Sequence, residues 1–477
     1  MDINSKAYEY IERIFGNDIA KTYSDFVDIT PVNYIRINPL KTSFEQLRDI
    51  LQLKYSIDLK KVNHLTNAAE VESDPFNSVG KTLEHTLGFY YIQSLSSMLP
   101  AYVLSPTSED KVLDLCAAPG SKTTQLAELM NNKGTLIANE IDVRRIRALV
   151  FNIDRLNLLN VGILNNKGEL LSKIYNNYFD KILVDAPCSS LGIIQKRGEV
   201  SDWWSLEHSE RLHNIQLKLL IAAIKMVKPG GEIVYSTCTL SVEENELVLE
   251  KVLNKYPIEI QKIDIPFKTI PGKSEFLSNE FNSQIQNTHR ILPWEINSDG
   301  FFIAKLLKTD FTEPLEKLNV PKPDLKFVNF KDKQINKYII QLAEHFGIEL
   351  DVFSKFNFLI KGKDIFITNK NWQDKNLNNF NRIGTKFGAF DSRDKITLHS
   401  NGGQVFSDYI TKRIYHINNI EDLERYIAGS KIEEADLEYG QYLIKYENYT
   451  LGTAIKSPDG LKSRFPKTKR TQKIELK

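Results

Sequence analysis

From Lys111 to Glu250 the chain alternates between short apolar runs and longer stretches in which apolar side chains recur every third or fourth position. "KVLDL" (111–115) passes through a glycine-containing turn into "SKTTQLAELMNN", and "GTLIANE" passes into "DVRRIRALVFNIDRLN", whose arginines fall opposite its apolar face. "NVGILN", "DKILVDAP" and "GEIVYSTC" read as further strands, and "SLEHSERLHNIQLKLLIAAIKMVKPGG" as a long helix stopped by Pro-Gly-Gly. Runs of period two that alternate with segments of period 3.6 predict βαβ units and a parallel sheet covered on both faces. "DGFFIAKLLK" (299–308) reads as a closing strand.

Outside this block the texture differs. Residues 1–100 read as a mixed helical and extended module, and 256–300 as irregular and polar. "EPLEKLNVPKPDLK" is a Pro- and Lys-rich connector. Beyond it "FLIKGKDIFIT" and "GQYLIKYENYTLGTAI" read as antiparallel strands, and "INKYIIQLAEHFG" and "IEDLERYIAG" as helices. The pattern divides the chain into 1–100, 101–310, 311–400 and 401–477.

At 477 residues the chain is too long for one core, and 42% hydrophobic with 26% charged residues is ordinary for a globular protein. A net charge of +1 gives no global basic bias, so any nucleic-acid surface must come from local patches. One such patch is the last 22 residues, where eight Lys or Arg stand against two acids; they read equally as a solvated tail or as phosphate contacts. The start does not read as a signal peptide, no apolar run is long enough to span a membrane, and three cysteines without CxxC spacing argue against disulfides and structural zinc. A reducing cytoplasm is expected.

"DLCAAPGSKTTQL" leaves a strand and enters a helix. Its small residues allow close backbone approach to a ligand, and the amides of a helix start favour a carboxylate. Asp114 ends the strand, where it can accept from an amine; Glu140 ends the next strand, 26 residues on, where such sheets place an acid on ribose hydroxyls. The turn alone is as readily structural as ligand-binding. Together with Glu140 it points to a nucleoside-type ligand, and the absence of GxGxxG points away from nicotinamide.

Cys188 and Cys238 each follow a strand and keep polar company, in "DAPCSS" and "STCTL". Free cysteines are most often small buried hydrophobes, which suffices for Cys116 and fits the other two poorly. If the two strands are neighbours, both thiols and Asp185 converge on one crevice. Carbon 5 of cytosine is a poor nucleophile. A thiolate added at carbon 6 makes it enamine-like, an acid near N3 eases the attack, and a base must later remove the carbon-5 proton.

These segments resemble RNA cytosine-5 methyltransferases of the NOL1/NOP2/Sun (Fmu) family. "DLCAAPGSKT", "DAPCS" and "STCTL" look like the family's first, fourth and sixth motifs, and "RINPLK" (36–41), "YYIQSLSSMLPA" (90–101) and "HRILPWEINSDGFFIAKLLK" (289–308) like its flanking motifs. The resemblance covers roughly residues 30 to 310. It implies an α/β fold, a Rossmann-like S-adenosylmethionine-dependent methyltransferase sheet with an N-terminal α/β RNA-binding extension. More weakly, "ERYIAG" and "LGTAIKSPDGLKSRFPKTKR" resemble a C-terminal PUA-like module of ribosomal-RNA members, preceded by an α+β region.

The resemblance also implies roles. Cys238 is the nucleophile, Cys188 assists release, Asp185 contacts the base, and Lys41 stands at the active site. Asp114, Cys116, Ala117, Ala118, Pro119, Gly120, Ser121, Lys122, Glu140 and Asp185 hold the cofactor. Arg36 and Asn38 are structural or meet the target. Apart from the resemblance, Trp203 and Trp204 read as aromatics near the site that stack on bases or pack in the core.

Two departures stand out. The family's usual Asp-Gly near the adenine is Lys167-Gly168 here, leaving that contact absent or supplied by a neighbour such as Asn166. The usual "DAPCSG" reads "DAPCSS".

The expected activity is RNA (cytosine-C5) methylation, on ribosomal RNA before transfer RNA, by a monomer without metal or membrane partner. Competing readings are an inactive RNA-binding assembly factor, favoured only by Lys167, and a DNA cytosine methyltransferase, which would use Pro187-Cys188 and have no need of Cys238.

Overall fold

The structure, a computed structural model, describes residues 5–196, 204–277, 279–313, 325–392, 395–433, 436–470 and 473–476. An N-terminal antiparallel sheet holds β1 (Tyr34–Ile37), β2 (Asp58–Lys61), β3 (Ala68–Ser73) and β4 (Tyr90–Ile92) in the order β2-β3-β1-β4. The central sheet is built on β5 (Lys111–Asp114), β6 (Thr135–Asn139), β7 (Val161–Leu164), β8 (Phe179–Asp185) and β9 (Val227–Thr237). These five are parallel and run β7-β6-β5-β8-β9 across the sheet. Chain order reverses between β5 and β8. That reversal opens a crevice at the strands' carboxyl ends, the place where sheets of this kind bind ligands.

Strand Phe301–Lys308 adds antiparallel to β9, with Phe302 opposite Thr237. The fold is therefore mixed α/β with a mixed central sheet; the expected strands and helices between Lys111 and Lys308 are present, but Pro229-Gly230-Gly231 lies within β9 instead of closing the helix, and 256–300, expected to be irregular, holds short strands such as Ile258–Gln261 and His289–Ile291. Successive side chains feed opposite faces: Leu113, Ile137, Ile182 and Tyr235 pack on one side with helix Leu206–Met226, and Val112, Leu136, Leu183 and Val234 on the other with helices Leu95–Leu104 and Val143–Leu156. Burial on both faces is the reason these strands read as unbroken apolar runs.

Past residue 325 there are two more sheets. Strands Phe356–Lys361, Asp364–Asn369, Thr385–Phe390 and Ile396–Leu398 make one, and five strands between Ile414 and Ser463 the other. Neither stands apart from the rest. The two-residue strand Arg382–Ile383 extends the central sheet beyond β7, and a Cβ on Gly162 of β7 would lie 2.5 Å from Trp372, so glycine lets this region dock. The last sheet shares a core with the N-terminal region, where Leu83 and Leu87 pack with Ile444, Tyr449 and Leu461. Among the described residues no helix is long and apolar enough to cross a membrane.

Candidate active site

Cys188 and Cys238 leave the carboxyl ends of β8 and β9, which pair with Asp185 opposite Ser236. That register brings the two sulfurs to 2.9 Å, both as free thiols. A single buried carboxylate fastens the two loops. Glu244, 0% exposed, accepts from the Ser189 amide at 2.9 Å, from Gln216 at 2.8 Å and from Ser241 Oγ at 2.9 Å. Gly192 donates its amide to Cys238 O at 3.0 Å, and a Cβ there would meet that oxygen at 2.8 Å, so only glycine permits this approach. Nothing in the sequence marks Glu244. It lies in "VEENEL", where acids read as an ordinary helix start.

The thiols line a cavity of about 490 Å³ together with Asp185, Lys122, Cys116, Pro119 and Glu140. Lys122 Nζ lies 2.8 Å from Asp185 Oδ2 and donates to Ser97 Oγ at 2.8 Å, while Ser236 Oγ donates to Asp185 Oδ1 at 2.9 Å. The two sulfurs differ in their surroundings. Cys238 is in hydrogen-bonding contact with Cys188 and Ser190 and feels Lys122, and these neighbours hold its thiol below the ordinary range against burial and Asp185. Cys188, hydrogen-bonded to Cys238, buried and near Glu244, is pushed well up. The arrangement favours a thiolate at Cys238 and a thiol at Cys188.

The turn between β5 and helix Ser121–Leu129 forms another wall. Arg145 donates to Ala118 O, and Asn152 donates to Pro119 O at 3.0 Å. Gly120 has φ +109, and the helix start has no side-chain cap, so its first amides are left for another acceptor. Glu140, 2% exposed, accepts from the Ala118 amide at 3.3 Å and sits 3.3 Å from Arg145. Asp114 takes a different place from the one expected. It is 1% exposed and lies under the turn, where Thr123 Oγ1 donates to it at 2.6 Å; burial pushes its carboxyl up to about 7. Its other oxygen is buried without a partner.

Lys41 is a correction. It does not line the cavity. Its ammonium donates to Leu87 O at 2.6 Å, Arg155 O at 3.1 Å and Asn157 Oδ1 at 2.6 Å, at the ends of helices Leu83–Leu87 and Val143–Leu156, where a cation suits the dipole. The lysine at the thiols is Lys122. Arg36 and Asn38 are structural: Arg36 donates to Glu128 and to Ser121 O at 2.8 Å, and Asn38 to Gly88 O at 3.0 Å. Trp204 is core, its indole donating to Ser189 Oγ at 3.1 Å beside Tyr10; Trp203 lies outside the described residues.

At the departure near Lys167, the cavity wall is made by Gly168 and Glu169, with Ile141 and Leu219, and neither Asn166 nor Lys167 lines it. Asn166 is tied back instead, its backbone exchanging hydrogen bonds with the Asn139 side chain at 3.2 and 3.1 Å. A Cβ on Gly168 would meet Leu219 at 2.6 Å. Among the described residues, no group of three His, Cys, Asp or Glu is placed to hold a metal.

A family model described as "16S rRNA methyltransferase RsmB/F" matches residues 101–307. The chain is 35% identical to a tRNA (cytosine(49)-C(5))-methyltransferase of Pyrococcus abyssi, over 57% of this chain and 87% of that protein. It is 30% identical to a ribosomal RNA small subunit methyltransferase F of a Shewanella species, over 93% and 92%. A methyltransferase homologue from Pyrococcus horikoshii superposes with TM-score 0.57 at 32% identity, covering 63% of this chain and 93% of that one. NSun6 from the same organism, crystallised with the S-adenosylmethionine analogue SFG, gives 0.57 at 26%, covering 64% and 98%. With 30% identity along nearly the whole length of both chains, and with two thiols in contact at the carboxyl ends of β8 and β9, the chain belongs to the NOL1/NOP2/Sun family of S-adenosylmethionine-dependent RNA cytosine-5 methyltransferases.

Proposed function

We propose that this chain methylates carbon 5 of a cytosine in RNA, ribosomal RNA before transfer RNA, with Cys238 as nucleophile and Cys188 in release. The contact of the two sulfurs inside the cavity carries this reading. Ribosomal RNA is favoured because the relative named for the small ribosomal subunit aligns along nearly the whole chain.

The residues present fit S-adenosylmethionine. The uncapped helix start at Ser121 and Lys122 suits its carboxylate, Glu140 its ribose, and Ile141, Gly168 and Leu219 a flat apolar ring, with Glu169 as the acid on that side. Bound there, it supplies an electrophilic methyl group. The chain's own groups do the rest. The Cys238 thiolate forms a bond to carbon 6, and the displaced ring electrons make carbon 5 nucleophilic. Asp185, held by Ser236 and Lys122, orients the base edge. After methylation a base takes the carbon-5 proton, that bond's electron pair restores the double bond between carbons 5 and 6, and the bond from Cys238 to carbon 6 breaks with its pair returning to sulfur; Cys188, beside that bond, is assigned to this release step.

RNA must present the base unpaired or flipped out to reach the cavity. We assign further RNA contacts to a second concavity of about 290 Å³, walled by Lys386, His399, Arg464, Lys467 and Arg470, with no carboxylate in its lining. The division into an N-terminal RNA-binding extension (1–100), a methyltransferase unit (101–310), an intermediate module (311–400) and a PUA-like module (401–477) belongs to the same proposal. So does action as a monomer in the cytoplasm.

Transfer of labelled methyl groups to RNA tests the activity. Cys238→Ala is expected to abolish both transfer and covalent adduct. Cys188→Ala is expected to bond to RNA and stay bonded on a denaturing gel. The reverse pattern overturns the roles. Bisulfite sequencing with and without the gene identifies the RNA.

A further inference from the structure

Ser190 occupies the position at which the family pattern "DAPCSG" has glycine, and its backbone shows why glycine suits it. It has φ +61 and ψ +24, left-handed values that an L side chain adopts only under strain. The next glycine, Gly192, is required by close packing. At Ser190 the chain carries a side chain that the backbone disfavours, and that side chain lines the cavity. Its hydroxyl oxygen lies 3.6 Å from Cys238 Sγ and 3.5 Å from Cys188 O. A hydroxyl has one proton to give. The separation from the carbonyl is long for an O–H···O bond, while the larger sulfur accepts comfortably at this range.

We infer that Ser190 is a third catalytic group at the thiols, donating its hydroxyl hydrogen to the Cys238 thiolate. This rests on Cys238 being the nucleophile. Cys238 is then held by two neutral donors, Cys188 and Ser190, with the Lys122 charge behind them. The consequence runs in both directions of the covalent step. Before attack, the hydroxyl raises the fraction of thiolate at neutral pH. At release, as the bond to carbon 6 breaks and its electron pair returns to sulfur, the same hydroxyl stabilises the departing thiolate. While sulfur is bonded to the base it is a poor acceptor, so the interaction favours the two ends of the reaction over the adduct.

The test uses two substitutions in the full chain, Ser190→Ala and Ser190→Gly. Alanine removes the hydroxyl and keeps the strained backbone; glycine removes both. Iodoacetamide labelling, read on the Cys238-containing peptide as a function of pH, reports the thiolate directly and needs neither RNA nor cofactor. The labelling midpoint is expected to rise by about half a unit to one unit in both variants. Methyl transfer measured below that midpoint is expected to fall roughly three- to tenfold and to recover at higher pH. The same midpoint in wild type and either variant overturns the inference, as does a shift in one variant alone, which would assign the effect to the backbone. An active Cys238→Ala enzyme would sink the proposed mechanism while leaving the labelling result readable.

Discussion

The crevice at the carboxyl ends of β8 and β9 and the seam where β7 meets the C-terminal region are built from the same residue types and use them oppositely. In the crevice, Lys122 and Asp185 pair at the edge of a cavity, with Asp185 28% exposed, and their polarity is turned on whatever enters. In the seam, Arg382 donates to Asp154 at 2.9 Å, Thr368 donates to Leu159 O at 2.6 Å and Asn369 to Gly134 O at 3.0 Å, so polar groups fasten one sheet to the next. Lys41 and Lys122 make the point most directly. Lys41 is half-buried and Lys122 buried, yet the first is satisfied by carbonyls at two helix ends and the second meets Asp185 in the wall of the cavity. What an ammonium faces decides whether it fastens two segments or charges the wall of a cavity.

Glu244 is the place to break this contrast hardest, because it is a seam-like fastener inside the crevice. Glu244→Ala takes the acceptor from the buried Ser189 amide and Ser241 hydroxyl and leaves Gln216 only Pro187 O. It is expected to abolish methyl transfer and to lower unfolding stability by about 3 kcal/mol, read by denaturant titration. The lysine pair comes next. Lys122→Met is expected to cost roughly a hundredfold in kcat with little change in stability, whereas Lys41→Met should keep kcat and lower the unfolding midpoint. Equal effects of the two on kcat would erase the distinction.

Acid should then separate the regions. Burial holds His399 down at about 4, and its Nδ1 accepts the Asn401 amide at 3.2 Å to cap helix Ser400–Val405. Between about 6.5 and 4 the unfolded chain binds a proton that the folded one refuses, so this contribution is present above that window and lost as pH falls through it. By pH 5 the loss is about 2 kcal/mol. Asp114 slopes the other way: its raised folded value means that stability falls as pH climbs toward about 7. Hydrogen exchange near pH 5 should therefore show residues 400–405 opening before β5, and a His399→Gln variant should flatten the seam's response.

The smallest effect is expected at the basic concavity. Arg464→Gln with Lys467→Gln should weaken RNA binding uniformly and reduce the salt slope by about two, leaving the rate at saturating RNA unchanged.

Legibility followed the same divide. β5 to β9 could be read because strands buried on both faces must be apolar throughout, and the two thiols stood out because polar neighbours surrounded them at strand ends. Glu244 could not be found, since two of its three donors, Ser189 and Gln216, come from a loop and a helix distant in the chain. Arg382–Ile383 is too short to carry any periodicity. Lys41 was misplaced because a motif shows that a lysine is wanted without showing which way it points.

The sequence by itself determined the alternation of elements, the glycine turn after β5 and the two cysteines, because these depend on spacing and side-chain chemistry within single segments. The tertiary structure decided which lysine lines the cavity with the thiols, which carboxylate holds their loops and how the C-terminal sheets join the rest. Those are contacts between distant segments, and local pattern carries no information about which buried polar group will find which partner.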